Sequence, residues 1–217
     1  MPLFRRSKDS VRVQGETFIA ATNVPVGDRL QEVRGISTSL KGNPSQMARL
    51  FLYAAIIQGA IAVLITFLGG FGDQMGLYPV AVSRVIAGGE AGTWFIMGYV
   101  MYIIVGVVAM AVTSLFYFYI ETVQGKTYSG IRKIFAWIHL VLGNVGVAGT
   151  AILAMVGGYL GGAAMQSVTY GGMGWTTGQV HVHILQYYTE PIAVFLLLAL
   201  IGFAFGGLGY LLSMRSK

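Results

Sequence analysis

Apolar residues run in four long stretches along this chain, separated by shorter segments rich in polar residues and glycine. The stretches cover about 48–70, 94–120, 133–162 and 184–213. Each is long enough for a helix across a hydrocarbon core, which needs about 20 predominantly apolar residues. The third and fourth exceed that minimum, so they tilt or project from the membrane. The pattern predicts an all-α integral membrane protein, a four-transmembrane-helix bundle over 48–213. A polar N-terminal arm over 1–47 precedes it, and a short tail over 214–217 follows.

Composition supports the same solvent. Of the 217 residues 55% are hydrophobic and 10% charged, and the mean hydropathy is +0.70. A soluble domain carries about 25% charged residues. A disordered chain combines low hydrophobicity with high charge, the opposite of this one. There is no cysteine, which excludes a disulfide, a thiolate metal site and a cysteine nucleophile.

The net charge is +6, and its placement matters more than its size. All basic residues except Arg84 fall within residues 1–49, in the 126–133 segment or at the C-terminus. Short loops rich in lysine and arginine stay on the cytoplasmic side. Four crossings put these three segments on one side, so the expectation is an N-in, C-in protein of the cell (plasma) membrane. The charge is thus an orientation signal rather than a nucleic-acid footprint. The arm lacks the apolar core of a secretory signal. It reads as a solvated tail, or as a docking segment for a partner subunit or an anionic lipid surface.

Small residues recur at helical spacing inside the stretches. His139, Gly143, Gly146, Thr150, Ala154, Gly157 and Gly161 share one face of the third, and Ala199, Gly202, Gly206, Gly209 and Ser213 one face of the fourth. In lipid, such faces let helix backbones approach closely. A smooth glycine face also admits a flat cofactor or a lipid, and at Gly143 and Gly146 both readings stand.

A polar residue within a span is a functional candidate by default. His139 precedes the glycine face of the third stretch. Its imidazole suits an axial haem ligand, a proton relay or a hydrogen-bonded packing residue. Gln58 lies in the first span, and Asn144 lies one turn deeper than His139 on a different face of the third. His181, His183 and Glu190 stand near the start of the fourth stretch, where Pro191 is expected to bend the helix. With Met165 and Met173 they make a candidate copper or zinc site. Glu190 alternatively pairs with Arg84. The 163–183 segment, uncharged apart from histidine, reads as a contact surface, with Trp175 and Tyr170 at the interface. Trp94 and Trp137 are expected to anchor their helices likewise.

Walker, GxSxG and HExxH motifs are absent, and no paired carboxylates lie in mid-span. WIHLVLGNVGVAG, together with HVHILQYYTEP, resembles helices in the catalytic subunits of haem–copper oxidases and nitric oxide reductases. The resemblance covers about a third of the chain. It implies a haem-ligand role for His139, and less securely for His183. That family has more spans, more intramembrane histidines and an adjacent histidine pair. The resemblance therefore implies a companion subunit, with any haem shared with a partner. The expectation is an accessory, non-catalytic membrane subunit of a respiratory or electron-transfer oxidoreductase complex, with other membrane subunits and the bilayer as partners and a haem, quinone or lipid site within reach. The rival reading is a small homo-oligomeric transporter or channel, with Gln58, His139 and Asn144 lining a pore.

Overall fold

A computed structural model describes residues 45–215, and within them the regular structure is entirely helical. The expected 1–47 arm lies outside the described residues up to Pro44, and the tail beyond Arg215 does too. Helix α1 spans Gln46–Phe71 and a short α2 spans Val82–Ala87. Helix α3 covers Ala91–Val123, α4 Ile131–Met165 and α5 Thr177–Arg215. The four long ones, of 26, 33, 35 and 39 residues, are long and apolar enough to cross a membrane. At about 1.5 Å per residue they measure roughly 40–58 Å, against a hydrocarbon core of about 30 Å.

Local chemistry explains the boundaries. Ser45 caps α1 by accepting from the Ala48 N–H at 3.1 Å. Glu121 accepts from the same serine hydroxyl, tying the start of α1 to the end of α3. Gly130, at φ 56°, turns the chain into α4. Helix α5 begins seven residues before the apolar stretch that predicts it. Thr176 and Gln179 form a reciprocal capping box there, and a π-helical turn over His181–Leu185 joins that short start to the rest. Two further π-helical turns, Tyr102–Val108 and Tyr119–Val123, interrupt α3. Pro191 lies inside α5, whose α-helical part runs unbroken over Gln186–Arg215.

Helix α4 is the spine. It packs antiparallel to α3 on one side and to α5 on the other, while α1 packs mainly on α3. Helices α1 and α5 share at most marginal backbone contact, so the four form an open row rather than a closed ring. Glycines set the spacing. A Cβ on Gly202 would lie 2.6 Å from the Gly143 nitrogen, and one on Gly146 would lie 2.3 Å from the Ala199 nitrogen. Across the other face, a Cβ on Gly158 would meet the Phe95 nitrogen at 2.2 Å. Backbones this close leave room only for hydrogen at those positions.

The two ends differ. At one, the Lys126 ammonium donates to the Met214 carbonyl at 2.9 Å, tying the α3–α4 connection to the end of α5. The start of α1, that connection and the end of α5 thus share one end. At the other, Tyr159 donates to the Val80 carbonyl at 2.9 Å, and Thr177 donates to Glu90. The backbone N–H groups of Met173 and Trp175 fold back onto the Ala164 carbonyl.

Candidate functional site

Four helices converge on His139. The residue sits on α4 and is 5% exposed. Phe51 of α1 lies 4.9 Å from its ring, Phe203 of α5 5.9 Å away edge-on, and Tyr210 of α5 6.3 Å away edge-on. The Tyr117 hydroxyl of α3 is 3.3 Å from His139 Nδ1. Gly206 makes the remaining room, because a Cβ there would fall 2.2 Å from Nδ1. The glycine face of α5 is thus a slot for an imidazole, and the helical spacing of small residues is its sequence trace.

A tyrosine cluster continues from this ring. Tyr117 stacks on Phe51 at 4.7 Å and contacts Tyr128 and Tyr210 at 5.0 and 4.9 Å. The buried Tyr128 hydroxyl faces Ser213, and the buried Tyr210 hydroxyl faces Tyr117. Tyr128 belongs to the α3–α4 connection, and burial raises its phenol above the ordinary range. Sequence reading missed this cluster, because its members come from three separate segments and tyrosine in a membrane helix carries no motif.

Haem ligation needs a macrocycle beside the imidazole. Phe51 and Phe203 occupy the flanks of the ring and Gly206 lies against Nδ1. With Nδ1 facing the Tyr117 hydroxyl and Gly206, Nε2 is the nitrogen that would hold an iron. The cluster also fits a buried, hydrogen-bonded histidine that locks four helices together.

A second polar group lies farther along the helices. Tyr102 donates to Gln58, Gln58 donates to Asn144 Oδ1 at 3.4 Å, and Asn144 donates to the Leu140 carbonyl at 2.7 Å. These side chains bond one another across α1, α3 and α4. Farther still, Thr66 and the Tyr99 hydroxyl are 2.7 Å apart.

The histidines of α5 are placed otherwise. His181 and His183 are exposed on the π-helical turn, and His183 lies 5.4 Å from the Trp175 ring. Among the described residues no three histidine or carboxylate side chains gather to hold a metal ion. Glu190 is about two turns or more farther along and exposed. Arg84 caps the Tyr170 ring at 4.1 Å instead of pairing with Glu190.

Between α1 and α4 lies an apolar groove of about 320 Å³, lined among others by Ile65, Gly69, Phe95, Met155 and Tyr159. It exists because α1 packs on α3 and scarcely on α4. Of the glycines singled out in sequence, a Cβ on Gly157 would lie 3.0 Å from the Tyr188 ring, and one on Gly161 would lie 2.9 Å from Ala91 and Val180. A Cβ on Gly143 or Gly209 would meet its nearest neighbour at an ordinary 3.5 Å, so at Gly143 it is the facing Gly202 that sets the close approach. No protein-family model, curated protein or solved structure matches this chain.

Proposed function

We propose that this chain is an accessory, non-catalytic subunit of a multisubunit electron-transfer complex of the plasma membrane. In this reading the basic arm, the 121–133 segment and the C-terminus face the cytoplasm. The subunit packs on a catalytic neighbour and holds a lipid or the isoprenoid tail of a quinone beside it. The observation that carries the reading is the α1–α4 groove. Its lining is almost wholly apolar, and its volume of about 320 Å³ suits part of one extended hydrocarbon chain. A long apolar cleft among spanning helices takes an acyl or prenyl chain by the same transfer energetics that hold the helices in lipid.

The polar residues support an architectural role. His139 is engaged by Tyr117, and Gln58 by Tyr102 and Asn144. Their hydrogen-bonding capacity is spent between helices, where buried polar side chains act as glue.

The test is purification of the full chain from its own membranes in mild detergent, with organic extraction of the product. The expected result is a defined assembly with other membrane subunits, quinol- or cytochrome-linked electron transfer in that assembly, and retained lipid or quinone. Gly69→Phe, which fills the groove, should lose the retained molecule while the assembly persists. A product containing only copies of this chain, with ion or solute flux in vesicles, would overturn the proposal in favour of the channel reading.

A further inference from the structure

The apolar bands of the four spans (50–71, 91–120, 134–165 and 187–213) hold a single Asp, Glu, Lys or Arg among them, and it is Glu190. Helix pairing sets its depth. On α5, Glu190 lies between Phe195, which packs on Gly149, and Tyr188, which packs on Gly157. It is therefore level with Met155 of α4. Gly98 of α3 packs on that same turn of α4, and neighbouring Tyr99 bonds Thr66 of α1. Thr66 lies five residues short of the end of α1 at Phe71, roughly 7 Å inside it at the helical rise. At this depth the outer surface is apolar: Met97, Val156 and Val194 are all exposed.

Glu190 is exposed there too, with no hydrogen-bond or ion-pair partner among the described residues. A second acceptor adjoins it. Pro191 has no N–H, so the Tyr187 carbonyl one turn back lacks its helical donor. Gln186, Tyr187, Glu190, Pro191, Val194 and Phe195 line a groove of about 440 Å³ at this place. A carboxylate facing acyl chains is costly, and intramembrane carboxylates are characteristically paired.

We propose that Glu190 and the Tyr187 carbonyl form a cation-accepting notch for a transmembrane helix of a different subunit, one carrying lysine or arginine at this depth. The inference rests on the accessory-subunit reading above and names its docking face. Charge complementarity selects the occupant. This chain has no basic residue in its own apolar bands, so a second copy would set carboxylate against carboxylate.

The test is labelling with dicyclohexylcarbodiimide, a lipid-soluble carboxyl reagent, read by peptide mass spectrometry on the full chain. One sample is native membranes and the other is the purified chain alone in phosphatidylcholine nanodiscs. The expected result is an adduct at Glu190 in nanodiscs that is lost in native membranes, or replaced there by an amide to a partner lysine. Native gels of Glu190→Leu should show the chain released from its assembly, while the melting temperature of the isolated chain is unchanged or raised. That second readout separates loss of docking from loss of folding. Equal labelling in both samples from an assembled chain would overturn the notch and leave the accessory reading standing. A chain that migrates alone would overturn both. Protection that appears when two differently tagged copies of this chain are reconstituted together would assign the face to self-association and overturn the proposed partner.

Discussion

Replacing Gly206 by alanine places a methyl group inside the His139 ring, whereas a Cβ on the next residue, Gly207, would meet no atom within 4 Å. The pair isolates the slot from helix propensity. Gly207→Ala should be neutral or stabilising by up to about 1 kcal/mol. Gly206→Ala should be destabilising by about 1–3 kcal/mol, the range for overpacking. Thermal unfolding in detergent reads both. Tyr117→Phe removes the hydroxyl that meets His139 Nδ1 and should cost about 1–3 kcal/mol through the buried nitrogen left unpaired. Tyr128 adds a pH dependence. Its phenol is raised by burial, so folding favours the neutral form. That stabilisation is complete below the ordinary phenol pKa of about 10 and is lost as pH rises toward the raised value. Tyr128→Phe should therefore flatten the alkaline loss of stability seen in unfolding curves above that pH.

Helices, unlike the contacts between them, were legible in the hydropathy pattern. All four stretches are helices, the one conformation in which a single apolar segment satisfies its backbone within itself in lipid. The pattern placed the start of α5 too late, since hydropathy does not register a polar first turn. The signal that does is Thr176 followed three residues later by Gln179, a capping box. Thr176→Ala should loosen that turn by about 0.5–2 kcal/mol, seen as faster amide exchange over 177–180 with the rest of α5 unchanged. Helix α2 was equally hidden, as six residues inside a connection carry too little periodicity to read. The glycine faces were legible as close-approach surfaces. Which side chain fills each gap was not, because that depends on the antiparallel register of α4 with α5. His139 was visible as an oddity in an apolar run, but its aromatic surroundings come from α1, α3 and α5 and only the fold assembles them. His181, His183 and Glu190 looked like neighbours in sequence, yet the helical path separates them.

For the whole molecule, topology governs everything else. The start of α1, the α3–α4 connection and the end of α5 share one end, and the basic residues concentrate in the segments that adjoin it. Retention of positive charge on the cytoplasmic side is the basis of the proposed N-in, C-in orientation. Under the proposed orientation the His139 and tyrosine cluster lies toward the cytoplasm and Glu190 toward the outer leaflet. The open row of helices carries a groove on one flank and the exposed Glu190 carboxylate on another, the two features on which the accessory-subunit proposal rests. The cysteine-free sequence allows a direct test of this arrangement. Single cysteines at Ser129 and Lys217, and separately at Asp73 and Met173, can be labelled with a membrane-impermeant maleimide in intact cells and in inverted vesicles. Ser129→Cys and Lys217→Cys should label only in inverted vesicles, and Asp73→Cys and Met173→Cys only in intact cells. Labelling of either pair from the opposite face, or a split within a pair, would contradict this arrangement.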